Sequence, residues 1–248
     1  MRWPTGRRSP IDDVDHGDAL DWELFTSKIA RQAPNWAPRT DETYHSVTYG
    51  FIVGEIVRRI DGRPIQQFIR EELAQPLGAD FIMGCGDDEL ARVAPQIPNP
   101  DNELMTGGLV NERTIPMFRP MPADPNYRTS PDYLRMVNPS GGGVSHALGL
   151  ARLFAPLAND GVANGIQILD PATIAAACTE HWHHPDSMFG NDFRVALGLL
   201  LDIPFNYWGR DGNVGSAGAG GYTVFADPHH RLSFAYTPNR YTTGFGLG

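Results

Sequence analysis

The sequence predicts an α+β fold in which helices come first and an antiparallel sheet comes last. Apolar residues recur at three- and four-residue spacing from Val47 through Phe51, Ile52, Ile56 and Val57 to Ile60, the period of a helix with one buried face. Runs of strand character gather near the end of the chain, at Arg194 to Leu201, Gly221 to Asp227 and Arg231 to Thr237. Asp227-Pro228-His229-His230 supplies a tight hairpin connection between the last two. Elements segregated this way pack as helices against an antiparallel sheet rather than as alternating βα units.

The first helix is expected over Ala19 to Gln32, with Leu20, Leu24 and Ile29 on one side, and Pro34 and Pro38 break the helical pattern after it. Gly62 stops the second helix, and Pro64 opens a third, Ile65 to Leu73, at the first-turn position where proline is tolerated. Pro76-Leu77-Gly78 ends it. From Ala79 to roughly Pro131 the chain is rich in proline, glycine, asparagine and acidic residues, and it reads as the wall or lid of a site. Ser140-Gly141-Gly142-Gly143 reads as a tight bend, since no lysine follows as a phosphate-binding loop requires. Ser145 is placed to cap a helix through Leu148, Leu153, Phe154 and Leu157 that ends at Asp160-Gly161, and Asp170-Pro171 opens another.

The chain has 248 residues, 41% hydrophobic and 20% charged, enough for one sizeable core. Its net charge of -9 repels phosphate backbones and anionic lipid, so nucleic acid and membrane surfaces are poor partners. No apolar run approaches the length of a membrane span. The basic stretch Met1 to Ser9 is followed by acidic residues where a signal peptide needs an apolar core, so a soluble, cytoplasmic protein is expected. Cys85 and Cys178 stand far apart without a CxxC partner and read as reduced thiols. The histidine cluster His181-Trp182-His183-His184 lacks a supporting ligand motif and reads as a solvated loop rather than a metal site. His229 and His230 read as surface residues of a turn. No metal or organic cofactor is called for.

Two segments say more about chemistry. One is Trp36 to Gly50, containing Tyr44-His45-Ser46 and continuing into Gly54-Glu55 and Arg58-Arg59; the other is Gly215-Ser216-Ala217-Gly218-Ala219-Gly220-Gly221-Tyr222, running on to Asn239-Arg240. With Pro76-Leu77-Gly78 and Ser140 to Ser145 between them, they resemble the β-lactamase and penicillin-binding-protein superfamily, nearest to class C-type enzymes and the carboxylesterases of the same fold. The ordered set spans about Trp22 to Arg240.

The resemblance implies a single β-lactamase-like domain over residues 1–248 and cleavage of a small-molecule ester or amide through an acyl-serine intermediate. A serine hydroxyl needs a neighbouring base to attack, and the oxyanion that forms needs fixed donors. Carried over residue by residue, Tyr44 matches the proton-shuttling tyrosine and Ser216-Ala217-Gly218 the Lys-Thr-Gly or His-x-Gly element of an edge strand. The Ala219 amide matches an oxyanion donor. His45, Ser46, Gly218, Gly220 and Gly221 then line the substrate, the glycines by letting it lie against the strand.

Two departures qualify the match. No Ser-x-x-Lys occurs: the only lysine, Lys28, has Phe25 three positions earlier. The resemblance places that motif, with the first strands, upstream of Met1, and a closing helix beyond Gly248. The expected fold is therefore truncated at both ends, inactive as it stands, with an unpaired strand edge and an apolar face in solvent. Serine at position 216 also lacks the charge that would hold a β-lactam carboxylate, which favours neutral esters. Against the enzyme stand blander readings. Tyr44 packs, Trp36 is core or wall, Gly218 to Gly221 is a flexible turn, Glu55 with Arg58 and Arg59 forms one-turn pairs on an exposed helix face, and the whole chain is a non-catalytic binding protein or a decayed gene product.

Overall fold

Asp21 sets the start of the helical half. Its carboxylate accepts a hydrogen bond from the Leu24 amide at 3.0 Å and caps α1 (Trp22–Arg31). That cap separates α1 from a short 3-10 turn at Asp18–Leu20, so the helix expected from Ala19 begins three residues later. The structure, a computed structural model, describes residues 13–34, 37, 40, 43–101, 115–122, 127–185, 192–202, 208–218 and 220–243. Trp36 and Ala219, both singled out in the sequence, lie outside them.

α2 (Thr48–Asp61) runs as its period predicts and stops at Gly62, which takes φ 91° and returns its amide to the Arg58 carbonyl at 3.0 Å. The two helices cross through aromatic rings. Phe25 and Phe51 are fully buried and meet edge to face at 4.7 Å, and Trp22 tilts onto Phe51 at 5.1 Å. Val14, Val47, Met121, Tyr127, Tyr133 and Met136 complete this core. Gly54 makes the crossing possible, because a Cβ there would stand 2.7 Å from the Trp22 ring. Glu55 sits beneath it, accepting from Trp22 Nε1 at 3.0 Å, Arg58 at 2.7 Å and Arg59 at 2.7 Å. The pairs are the expected one-turn bridges, but they close over a carboxylate only 12% exposed rather than lying on an open face. Lys28 meets Asp18 at 2.9 Å in the same half.

Pro64 stands just outside α3 (Ile65–Ile69), with φ -63° and ψ 148°. The helix then widens into a π-turn at Arg70–Ala74 and resumes as α4 (Gln75–Leu77), reaching beyond the expected end at Leu73. The widened turn relieves the crowding that Pro76 would impose on the carbonyl four residues earlier. Gly78, at φ 59°, closes a Schellman motif: Ala79 donates to the Ala74 carbonyl at 2.8 Å and Gly78 to that of Gln75 at 3.1 Å.

The long polar segment carries short elements. β1 (Phe81–Met83) forms an antiparallel ribbon with β2 (Gly143–Ser145), and α5 (Asp87–Leu90), α6 (Ile115–Phe118) and α7 (Pro131–Arg135) lie between them. Ile97 is stitched to the far end of the chain, donating to the Asn239 carbonyl at 2.6 Å and accepting from the Tyr241 amide at 3.1 Å. α8 (Ala147–Ala158) is capped by His146, whose Nδ1 accepts from the Gly149 amide at 3.2 Å. Ser145, expected in that role, ends β2 and donates to the Asp80 carbonyl at 2.6 Å. β3 (Val162–Ala163) and β4 (Ile166–Gln167) form a small hairpin, and α9 (Pro171–Cys178) is capped by Asp170 as expected.

The remaining strands make one antiparallel sheet. In chain order they are β5 (Trp182–Pro185), β6 (Asp192–Val195), β7 (Leu200–Leu201), β8 (Val214–Ala217), β9 (Thr223–Asp227) and β10 (Leu232–Tyr236), and the spatial order follows the sequence. Two expectations change here. His181 to His184 lies mostly in β5, paired with β6, not in a loop. The run from Arg194 to Leu201 folds back on itself, Ala196 donating to the Leu199 carbonyl at 2.8 Å around Gly198 at φ 74°. One face of the sheet packs Ala196, Leu201, Val214 and Ala226 against Ala158 and Leu157 of α8. The opposite face gathers Phe193, Leu200 and Trp208. Among the described strands β10 forms one edge of the sheet, with Leu232, Phe234 and Tyr236 exposed. Both cysteines are free thiols, and among the described residues no helix is long and apolar enough to cross a membrane. The α+β architecture, with helices first and the antiparallel sheet last, is thus present.

Candidate functional site

The N-terminal end of α2 lies against the β6–β7 hairpin. Tyr44, just ahead of the helix, stacks on Phe193 with centroids 5.9 Å apart and planes 12° from parallel. In the first turn of α2, Tyr49 reaches Gly198, where a Cβ would stand 2.7 Å from the phenol oxygen. Tyr44 keeps 40% of its surface exposed, yet crowding around the hydroxyl, and next the phenol of Tyr49, push its pKa up. A proton shuttle beside a cation would move the other way. Lys28, the lone lysine, is held by Asp18.

His45 braces the helix start, its Nδ1 lying 2.8 Å from Thr48 Oγ1, and Ser46 occupies the turn beside it. Ser140 locks this end of α2 in place. Its hydroxyl donates to the Val47 carbonyl and accepts from the Gly50 amide at 2.8 Å. Gly50 is required there, because a Cβ would fall 2.3 Å from the Ser140 nitrogen. The Ser140 hydroxyl is therefore spent on structure, which removes it from consideration as a nucleophile.

Ser216 is exposed on β8, an interior strand between β7 and β9 rather than an edge strand. Register fixes its direction. Phe193 shares a face with Val195, Val195 pairs with Leu200, and Leu200 pairs with Gly215, so Ser216 leaves by the opposite face, with Val214 and α8. The structure thus brings Tyr44 to the sheet, but onto the face away from the Ser216 side chain. The Tyr49–Gly198 contact lies nearer that end of β8, close to Leu200 and its partner Gly215. Tyr49, to which the sequence reading gave no role, ties α2 to the β6–β7 hairpin.

Beyond β8 the chain turns tightly. Gly218 donates to the Tyr222 carbonyl at 2.8 Å and Gly221, at φ 90°, to the Gly218 carbonyl at 3.0 Å. The glycines serve the protein's own packing: a Cβ on Gly220 would meet the Tyr222 ring at 2.4 Å and Tyr241 at 2.8 Å, and one on Gly221 would meet Thr242 at 2.4 Å. Only Gly218 meets an ordinary contact, at 3.5 Å. Around the turn stand Gln96, which bridges Tyr222 and Tyr241, and Arg128, whose guanidinium lies over the Tyr127 ring at 4.7 Å. Among the described residues no three metal-ligating side chains converge.

Comparison with known proteins agrees with this architecture. The Beta-lactamase family model matches residues 5–246. The esterase/β-lactamase LipL of Mycobacterium tuberculosis is 28% identical over 97% of this chain and 57% of its own length. A penicillin-binding protein homologue from Caulobacter crescentus superposes with a TM-score of 0.81 and 31% identity, over 96% of this chain and 62% of that one. A family VIII carboxylesterase superposes with a TM-score of 0.84 and 28% identity, over 96% and 63%. The chain spans less than two thirds of the length of each relative. With helices and sheet arranged as in those structures, and with a match over nearly all its residues, the chain belongs to the β-lactamase family, within the superfamily of serine hydrolases that includes the penicillin-binding proteins.

Proposed function

We propose that this chain carries most of an esterase-type serine hydrolase that cleaves small-molecule carboxylic esters through an acyl-serine. The observation that carries the reading is the match of residues 5–246 to the Beta-lactamase family model and the likeness of nearly the whole chain to relatives named as esterases, joined to a tyrosine held at the mouth of α2 against the sheet. The nucleophilic serine and its lysine come from outside these residues, because no Ser-x-x-Lys occurs within them.

In the proposed reaction the serine oxygen attacks the ester carbonyl as its proton passes to the lysine–tyrosine pair. The oxyanion is held by the Ala219 amide and the serine's own amide. Collapse expels the alcohol, protonated through Tyr44, and water repeats the sequence to release the acid. A raised pKa keeps Tyr44 protonated, which suits the donating half of that role. The lysine's charge would draw the pKa down for the accepting half. Gly218, His45 and Ser46 contact the substrate in this scheme, and Gly220 and Gly221 shape the turn that presents the donors. Ser216, whose side chain leaves by the other face of the sheet, takes no part in the proton transfer, and no cofactor is used.

The alternative is a binding protein without turnover. Intact-mass analysis after exposure to a fluorophosphonate probe separates the two. The 248-residue chain is expected to take up no label, and a chain extended upstream one label that a denatured control lacks. Labelling of the 248 residues themselves would move the nucleophile to Ser46 or Ser216. Absence of label from both would favour the binding protein.

A further inference from the structure

The cap of α8 ties a histidine ring to one protonation state. His146 Nδ1 accepts a hydrogen bond from the Gly149 amide at 3.2 Å, and a ring nitrogen accepts only while it carries no proton. Nε2 of the same ring stands 3.8 Å from Asp80 Oδ2, so the one proton of the neutral imidazole belongs on Nε2, facing a carboxylate. Serine, threonine and asparagine caps accept at any ordinary pH; a histidine cap accepts only when neutral.

The elements around the ring carry Asp80 ahead of β1, Arg92 past α5 and Arg152 on α8 itself. Arg152 donates to the Gly78 carbonyl, and Arg92 pairs with the Asp80 carboxylate, which lessens the pull of that carboxylate on a second cation. A positive ring at the start of a helix is also opposed by the helix dipole. The first turn of α8 is seated closely on its neighbours: a Cβ on Gly149 would fall 2.4 Å from Ser145 Oγ and 2.7 Å from the Asp80 carbonyl oxygen. Ser145 ends β2 and donates to that same carbonyl at 2.6 Å, so the cap, the β1–β2 ribbon and residue 80 meet at one place. At the head of the same stretch, residues 140–146, Ser140 holds the start of α2 through Val47 and Gly50.

We propose that His146 is an acid-sensitive latch: with its ring neutral it closes the first turn of α8 onto the β1–β2 ribbon, and on taking a second proton it lets that turn open. An imidazole takes up its second proton between about pH 8 and about pH 5. The added proton sits on Nδ1 and faces the Gly149 N–H, so an acceptor is lost and two donors are opposed. The cap is complete at the alkaline end of that window and is lost as pH falls through it. The latch stands on the geometry of α8 and is independent of the esterase reading.

Hydrogen exchange of the Gly149 amide, read by NMR on the 248-residue chain at about pH 7.5 and about pH 5.5 and corrected for the intrinsic effect of pH, tests it. The corrected rate is expected to rise about fivefold on acidification, the loss of an ordinary cap. His146→Thr supplies a cap that does not titrate in this range and should hold one corrected rate at both pH values. His146→Ala should exchange fast at both. The imidazole ¹⁵N resonances of the native chain at the higher pH should place the proton on Nε2, and Asp80→Asn should move part of the population to the Nδ1–H form and speed the exchange there. A corrected rate independent of pH in the native chain, the same pH response in His146→Thr, or a proton on Nδ1 at the higher pH overturns the proposal.

Discussion

Tyr44 is held by Phe193: the rings lie 5.9 Å apart at 12°, so the sheet rather than helix α2 fixes where the phenol stands. Phe193 is 9% exposed and belongs to the apolar face of the sheet. Phe193→Ala should cost about 3 kcal/mol in a denaturant titration. It should also lower the Tyr44 pKa, as water reaches a hydroxyl that burial now holds above its ordinary value. Absorbance titration near 295 nm, with Tyr44→Phe as the subtraction control, reads the shift.

In a chain that turns over esters, Tyr44→Phe should reduce kcat by about 10²-fold or more and leave KM nearly unchanged. Steady-state kinetics on a p-nitrophenyl ester reads both constants. A change confined to KM would make Tyr44 a substrate contact rather than a proton carrier.

Glu55 offers a pH test of the helical half. Hydrogen bonds from Arg58 first, then Arg59 and Trp22, outweigh burial and hold its carboxyl at about 2. A depressed folded-state pKa adds stability that is complete above the ordinary value of 4.5 and lost as pH falls from there toward 2. With Arg59 open to solvent, the contribution is about 1–2 kcal/mol. Glu55→Gln should remove it at pH 7 and flatten the loss of melting temperature between pH 5 and about 2, as thermal unfolding across that range would record.

Gly50 and Gly54 sit four residues apart on α2 and should respond differently to alanine. At Gly50 the obstruction is the Ser140 backbone, which cannot yield without moving the whole bend, so Gly50→Ala should cost about 2–3 kcal/mol. At Gly54 it is the tip of the Trp22 ring, which can tilt, so the cost should be about 1 kcal/mol. Chemical denaturation of the two variants side by side gives the comparison.

The sequence made the helical punctuation legible because single residues decide it. Gly62 and Gly78 take positive φ, and Asp170 caps α9 ahead of Pro171. It misled where two signals share a stretch. Arg194 to Leu201 is apolar enough to hide the Leu197-Gly198 reversal, and His181 to His184 is polar enough to hide a strand whose partner, β6, supplies the apolar residues. Ser145 lost the cap to His146 because the Asp80 carbonyl claimed its hydroxyl, a contact 65 residues away. The site divides the same way. Tyr44 and the Gly218 turn stood out as motifs, whereas Tyr49 on Gly198 depends on an approach that local pattern does not encode.

Lys28 is the only side-chain amine in the chain. Its side chain is 13% exposed and bound to Asp18, and that hydrogen bond raises its pKa and keeps it protonated. Amine-acylating reagents consume the neutral form, so modification at Lys28 must wait for the Asp18 contact to break. The chain thus carries an internal clock: the growth of one acyl adduct at this residue, followed by mass spectrometry, times the parting of Lys28 from Asp18 against a background free of other lysines.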